Sequence, residues 1–238
     1  MDDGRSLVFD VEVRKAAKAW IALGVRKSGS SVFANIVSAL AKHSGVNAVD
    51  VPGAMFEHGY RYADWNGYPR LADLLWRGNA YVGFRDPPTS LFADPVFASA
   101  RKILLVRDPR DALVSEYFSN AYSHRLPSAS SGATVIEEVR AGALASTLEA
   151  YVVERAEHLD RTVAGYRPLF RDPNLKIMRY EDVILDKRNW ILAIAEHFDW
   201  EVGDRLVSDI LGWADVRPET EDPHAFVRRV TPGDHRDK

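Results

Sequence analysis

The fold is decided by the stretch Leu23-Gly24-Val25-Arg26-Lys27-Ser28-Gly29-Ser30-Ser31-Val32-Phe33. An apolar run over residues 19–23 leads into it, and apolar residues recur at helical spacing after it, at positions 32, 33, 36, 37 and 40. The pattern predicts a strand over 20–24, a tight loop, and a helix from 30 to about 43. Small residues let the loop backbone approach a ligand, and the free N–H groups at the helix start favour an anion. We therefore predict a phosphate-binding loop.

This loop differs from the nucleoside-triphosphate loop, whose pattern is G-x-x-x-x-G-K-[ST]. Gly24 and Gly29 have the spacing of its glycines, but Ser30 and Ser31 follow. The lysine, Lys27, precedes the second glycine, so it reaches a ligand from the front of the loop and not from the helix. The loop alone is also compatible with an ordinary Gly/Ser turn before a buried helix.

Composition limits the functions that the chain can have. Its 238 residues include 46% apolar and 27% charged residues, which is typical of a globular protein with a sizeable core. The net charge of −3 gives no general attraction to nucleic acid, so a site for an anion must be locally basic. Cysteine is absent, which excludes disulfides, thiolate metal sites and a cysteine nucleophile.

Several partners are not expected from the sequence. The seven histidines are scattered, and no clustered set of metal ligands occurs. No signal-peptide pattern and no run of about 18 apolar residues is present, so we expect a cytoplasmic protein without a membrane partner. The sequence carries no signal for an oligomeric state.

Strand and helix patterns alternate along the chain. Further strands are predicted at 6–13, 47–51, 80–84, 102–106 and 175–179, and further helices at 71–77, 92–100, 143–166, 190–198 and 203–211. Segments 52–70 and 124–134 are predicted to be irregular, the second as a mobile loop or lid. Such alternation predicts an α/β fold in one domain, residues 1–238, with a mostly parallel sheet and helices on both faces.

The irregular segment 52–70 is rich in aromatic residues. Its aromatic residues lie between 55 and 68, mixed with glycines and flanked by Pro52 and Pro69, and they either wall a small-molecule pocket or pack on the core. A pocket of this kind favours a small, partly apolar alcohol, phenol or amine, although Arg61 and Arg70 could serve a sugar. His58 lies within the segment.

A second group of candidate residues follows the predicted strand 102–106. Arg107 leaves the strand tip, and open α/β sheets bind ligands at this edge. Asp108 and Pro109 have the pattern of a helix start, which places Ser115 two turns into the helix. Arg107 and Ser115 could hold a phosphate between them. The alternative is a surface ion-pair network around a well-capped helix.

Four ordered fragments resemble the motifs of sulfotransferases that use 3′-phosphoadenosine 5′-phosphosulfate (PAPS). The loop has the order K-S-G-[ST]-[ST], and residues 107–117 match R-x-P-x-D-x-x-x-S-x-Y. Residues 180–182 match Y-E-D, and residues 226–235 are similar to F-x-R-K-G-x-x-G-D-W. Together the fragments extend over nearly the whole chain.

The resemblance implies a P-loop NTPase-like domain that transfers a sulfuryl group from PAPS to a hydroxyl or amine of a small acceptor. Transfer would be in line and metal-independent, with 3′-phosphoadenosine 5′-phosphate (PAP) as product. By motif position, Lys27 stabilises the leaving 5′-phosphate. The other implied nucleotide contacts are Ser28, Gly29, Ser30 and Ser31 at the 5′-phosphate, Arg107 and Ser115 at the 3′-phosphate, Tyr180 near the adenine, and Arg228 and Arg229 closing over the nucleotide.

The chain departs from the family pattern at several positions. Arg26 stands where proline is common, and Val32 replaces the tryptophan that stacks on adenine in cytosolic members. Trp213 is a candidate for that stacking role. Val230 and His235 replace the glycine and tryptophan of the last motif. These differences favour a bacterial-type member over a close relative of the animal cytosolic enzymes.

The general base is predicted by alignment on a proline. In many cytosolic relatives a histidine lies two residues before a proline that follows a strand, and alignment on Pro88 places Asp86 there. A carboxylate does this work in other sulfotransferases. The alternative is that Asp86 and Pro87 simply start a turn. His58 is the second candidate.

Two other functions remain open at this stage. A P-loop kinase for a small molecule would use Mg·ATP, but the missing G-K-[ST] order and the Arg107/Ser115 pair disfavour it. A non-catalytic PAP-binding protein is also compatible, because Val32 and Val230 depart from the pattern.

Overall fold

A parallel sheet forms the centre of the computed structural model, which describes residues 7–13, 18–60, 66, 68, 70–127 and 130–238. Within these residues the sheet has five strands in the order β2-β3-β1-β4-β5, and each neighbouring pair is parallel. The strands are β1 Trp20–Gly24, β2 Asn47–Val49, β3 Asn79–Phe84, β4 Arg101–Val106 and β5 Leu175–Arg179. The predicted α/β fold with a mostly parallel sheet is confirmed.

Helices connect the strands on both faces. They are α1 Ser30–His43, α2 Val51–Glu57, α3 Pro95–Ser99, α4 Pro109–Phe118, α5 Ser130–Leu144, α6 Leu148–Gly165, α7 Tyr180–Val183, α8 Lys187–Phe198 and α9 Asp204–Ala214. A π-helical turn, Ser119–Ser123, extends α4. Short 3₁₀ turns cover Leu71–Leu74, Thr89–Leu91, Arg167–Arg171 and Asp234–Asp237.

The core consists of two apolar layers, one on each face of the sheet. Phe33 of α1 stacks on Trp190 of α8 with ring centroids 5.9 Å apart, and α9 joins this layer. The other layer packs α2, α3, α4 and α6 against the opposite face, around Tyr81. Because both faces are covered, all six residues of β3 are buried, as expected for a parallel strand.

The helix ends next to the sheet follow local rules. The Asp108 carboxylate accepts a hydrogen bond from the Arg110 N–H at 2.9 Å, and Pro109 is the first residue of α4. Gly45, with φ +65°, closes α1 as predicted. Strand β1 and helix α1 have the predicted bounds, so the sequence placed the loop between them correctly.

The prediction of an irregular segment over 52–70 is wrong for its first part. Residues 51–57 form α2, because the Asp50 carboxylate accepts the Gly53 N–H at 2.8 Å and Met55 is buried beneath the helix. Proline is tolerated there because it lies in the first turn. Residues 61–65, 67 and 69 lie outside the described residues.

Other boundaries also differ from the predictions. The single helix predicted over 143–166 is two helices, because Thr147 caps α6 by accepting the Ala150 N–H at 3.3 Å. Helix α5 begins at Ser130, so the predicted loop over 124–134 is shorter. Residues 7–13 form no strand; the Glu12 N–H instead donates to the Asn79 side chain at 2.9 Å.

An irregularity in β3 shapes the edge of the sheet where the loops meet. Ile21 pairs with Tyr81 but Leu23 pairs with Phe84, so β3 contains an extra residue. Gly83 has φ +85°, and a Cβ there would lie 2.0 Å from Asp50 Oδ1. The carboxylate of Asp50 therefore occupies space that only a glycine leaves open.

We expect Gly83→Ala to lower the free energy of unfolding by about 2–3 kcal/mol, because the left-handed conformation becomes strained and Asp50 is displaced from its cap. Gly45→Ala is the matched control. It has positive φ and open space around the added Cβ, so its cost should be about 1 kcal/mol. Urea denaturation measures both, and equal losses would contradict the role assigned to Asp50.

Candidate active site

The loop over residues 25–29 lies at the carboxyl edge of the sheet and begins α1. Gly29, the residue before α1, has φ +83°, and no side chain caps the helix start. Lys27 also has positive φ, at +61°. The first N–H groups of α1 therefore have no side-chain acceptor, and the helix dipole adds positive potential at the same place.

The loop serines have different positions. Ser28 is fully buried, and its hydroxyl donates to the Val25 carbonyl oxygen at 2.6 Å, so it holds the loop closed. Ser30 and Ser31 begin α1 and are partly exposed. The Ser31 hydroxyl accepts a hydrogen bond from Arg85 at 3.1 Å.

Lys27 lies among cations. Its pKa is lowered to about 8, first by burial and then by the charges of Arg85, Arg107 and Arg228, while Glu116 opposes them. The side chain is nevertheless partly exposed, as expected in a concave site. An anionic ligand would relieve this repulsion.

Arg107 joins the second motif to the loop. Its Nη1 donates to the Lys27 carbonyl oxygen at 3.0 Å, and its guanidinium lies 4.2 Å from the centroid of the Tyr180 ring. Its Nε is buried and has no hydrogen-bond partner among the described residues. Arg107 therefore positions the loop and keeps a donor for a ligand.

Tyr180 and Ser115 complete this side of the site. Tyr180 is 5% exposed, and a Cβ on Gly29 would lie 3.1 Å from its ring. The ring thus supports both the loop and Arg107, and burial raises the pKa of its hydroxyl. Ser115 lies in α4, is partly exposed, and makes no hydrogen bond through its hydroxyl within the described ranges.

The C-terminal segment, residues 226–235, docks on α4. Buried Asp111 accepts the Gly233 N–H at 2.7 Å and the His235 N–H at 2.9 Å. Arg228 forms ion pairs with Glu221 and Asp234, and Arg229 pairs with Asp234 and Asp237. Both arginines are therefore brought beside the site with carboxylate partners already in place.

The other predicted residues are more dispersed. Asp86 forms a two-contact ion pair with Arg26, with distances of 2.9 and 3.3 Å. His58 is exposed at the end of α2, with its Nδ1 at 2.8 Å from the Ala54 carbonyl oxygen. Val32 packs against the core. Trp213 is 44% exposed, and no hydrogen bond or ring contact joins it to the loop in the described part of the chain.

The sequence reasoning missed Arg85, Asp50 and His124. Arg85 directly follows β3 as Arg107 directly follows β4, so its position was an available signal. Burial raises the pKa of Asp50, whereas the Gly53 N–H and Arg85 act in the opposite direction. His124 lies in a Ser/Ala/Gly-rich segment that gave no local signal.

Two kinds of feature are absent from the described residues. No group of three or more His, Asp or Glu side chains there could hold a metal ion. None of the helices there combines the length and the apolar character needed to cross a bilayer.

A parallel α/β sheet with an uncapped helix start and converging cations defines an anion-binding protein of the P-loop kind. The particular family follows from comparison: the model of the sulfotransferase domain matches residues 18–212, and the chain belongs to this family. A search of curated proteins found no match.

Solved structures share the fold. Mouse sulfotransferase SULT7A1, solved with PAP, is 13% identical with a TM-score of 0.58, covering 94% of this chain and 80% of its own. Retinol dehydratase with androsterone and PAP is 17% identical with a TM-score of 0.51, covering 92% and 75%. Its complex with retinol and PAP is 14% identical with a TM-score of 0.54, with the same coverage.

We expect the Lys27 ammonium to titrate at about pH 8. An anion binds the charged form, so PAP affinity should fall as the pH rises above 8, by up to about tenfold per pH unit. Lys27→Arg keeps the charge and should remove this pH dependence. Carbon NMR of the lysine side chains and calorimetry at pH 7 to 9.5 measure both effects. If the PAP affinity of Lys27→Arg declined equally with pH, the assignment of the pH dependence to Lys27 would be contradicted.

Proposed function

We propose that this chain transfers a sulfuryl group from PAPS to a hydroxyl or amine of a small acceptor and releases PAP. The observation that carries the proposal is the hydrogen bond from Arg107 to the Lys27 carbonyl oxygen, which combines the two motifs into one cationic site. Family membership and the solved relatives with PAP support it. We also infer that residues 1–238 form one domain and that the enzyme is cytoplasmic.

On the donor side, the loop and the start of α1 hold the 5′-phosphate. Ser30 and Ser31 donate their backbone N–H groups, and Lys27 brings its flexible ammonium group. Ser28 acts indirectly, because its hydroxyl fixes the loop backbone. The buried Nε of Arg107 and the Ser115 hydroxyl hold the 3′-phosphate. These groups come from the ends of β1 and β4 and from α4.

The remaining motif residues are assigned to the adenine and to closing over the nucleotide. Tyr180 lies near the adenine as part of the platform under Arg107. Arg228 and Arg229 close over the nucleotide by exchanging part of their bonding to Glu221, Asp234 and Asp237 for phosphate oxygens. Trp213 remains the candidate for stacking, from the end of α9, since Val32 is taken up by the core.

Transfer proceeds in line and needs no metal. The acceptor oxygen or nitrogen bonds to sulfur while the bond from sulfur to the 5′-phosphate oxygen breaks. Negative charge develops on that oxygen, and Lys27 stabilises it because the ammonium already lies in a cationic, partly desolvated site.

The general base, which takes the proton from the acceptor, is the last role to be assigned. Alignment predicts Asp86, but both of its oxygens are engaged by Arg26, which leaves less of the carboxylate for an acceptor. His58, the second candidate, has one ring nitrogen at the Ala54 carbonyl. Phe56 lies on the same helix and contacts His124, so an apolar acceptor would meet an aromatic wall there.

The experiment is calorimetric titration with PAP and, separately, with Mg·ATP. We expect PAP to bind with a dissociation constant on the order of micromolar. Arg107→Ala should weaken it by at least about tenfold, because a charged donor is lost from a buried site. Arg101→Ala is the matched control, since Arg101 lies at the opposite end of β4 and pairs with Asp199.

Binding of Mg·ATP without a response to PAP would refute the proposal and support a small-molecule kinase. Binding of PAP without any release of PAP from PAPS would instead support a non-catalytic PAP-binding protein. An equal loss in Arg101→Ala and Arg107→Ala would show that only stability had changed.

A further inference from the structure

His124 lies near several cations of the site. Among the charges that lower its pKa, Lys27 has the largest effect, followed by Arg85 and Arg26, so its ring lies close to the loop. Across the described ranges, neither ring nitrogen of His124 makes a hydrogen bond. The ring is therefore available to a ligand.

The backbone fixes this position. His124 ends the π-helical turn Ser119–Ser123, and its N–H donates to the Ser119 carbonyl oxygen at 2.7 Å. Its own carbonyl oxygen accepts a hydrogen bond from Arg140 of α5 at 2.9 Å. Such π-helical turns occur frequently at functional sites, where they re-aim the residues that follow.

One face of the imidazole meets an apolar wall. The ring of Phe56 on α2 lies edge-on to His124, with centroids 6.1 Å apart and planes at 71°. Arg125, the next residue, pairs with Glu57 at the end of α2 at 3.2 Å, which holds the two segments together. The imidazole thus contacts an aromatic ring and is close to the cations of the loop, so an acceptor with an apolar body could place its polar group at the imidazole.

We propose that His124 accepts the proton of the acceptor during sulfuryl transfer. The proposal rests on the proposed function. It assigns the base to an element other than the one that alignment on Pro88 indicates.

The acceptor oxygen forms a bond to sulfur, and its proton passes to the free nitrogen of neutral His124. The sulfur–oxygen bond to the 5′-phosphate breaks, and its electron pair stays on the phosphate oxygen beside Lys27. The imidazolium then returns the proton to water. No oxidant, reductant or metal takes part.

The charges around His124 explain why donor binding matters. Burial and four cations together lower its pKa to about 4; burial has the largest effect, and the cations are Lys27 and Arg26 of the loop, Arg85 after β3, and Arg140 of α5. The ring is therefore neutral without donor. When anionic groups of the donor neutralise these cations, the part of the lowering that the cations cause is removed, and the pKa should rise. A proton taken from the acceptor is then better retained.

The decisive measurement is NMR titration of the histidine rings, with and without PAP. We expect His124 to titrate near pH 4 alone and at least about one pH unit higher with PAP bound. The His124→Gln spectrum assigns the signal, and exposed His43 of α1 is the internal control that should not respond to PAP. An unchanged His124 titration in protein saturated with PAP would overturn the proposal.

Kinetics provide the second test. PAP release from PAPS with 2-naphthol present should fall about 10²–10⁴-fold in His124→Gln, while the PAP dissociation constant stays within about twofold. His43→Gln is the matched control, and His124→Asn is a second variant should Gln perturb folding. A larger loss in Asp86→Asn than in His124→Gln would return the role to Asp86 and refute this proposal. Failure of PAP to bind the wild type would refute the proposed function instead.

Discussion

The hydrogen bond from Arg107 to the Lys27 carbonyl oxygen joins two strand ends separated by 80 residues in sequence. It fixes the loop backbone from the carboxyl end of β4, and the Tyr180 ring supports it from the start of α7. Because the loop has a non-glycine residue in the left-handed region, such support stabilises a conformation that the sequence alone would not prefer. The positions of the helix start and of the lysine both follow from this contact.

Electrostatic repulsion is the second constraint on this edge of the sheet. Lys27 has its pKa lowered by burial and by neighbouring arginines, and the pKa of His124 is lowered by burial and by nearby cations, among them Lys27 and Arg85. An anion relieves the repulsion between these cations, so the site is more stable when it is occupied. The same cations increase the affinity for the donor and stabilise the charge that develops in the transition state. The carboxylate of Glu116, which acts on Lys27, and that of Asp50, which interacts with Arg85, reduce the repulsion between these cations.

Local signals predicted β1, α1 and the start of α4, because apolar spacing and capping residues act over a few positions. Helix α2 was missed because its proline and glycine suggest a loop, whereas the Asp50 cap and the burial of Met55 stabilise a helix. The pairing of Asp86 with Arg26 and the position of His124 depend on contacts across distant segments, which no local pattern records. The roles given to individual site residues by motif position remain predictions.

The docking of residues 226–235 on Asp111 makes this segment a structural part of the site. The Asp111 carboxylate is fully buried and contacts the Gly233 N–H, the His235 N–H and the His235 ring. Without those donors a charge would remain buried in α4, the helix that also carries Ser115. A change within residues 233–235 would therefore act on the ligand site through the interior of the protein.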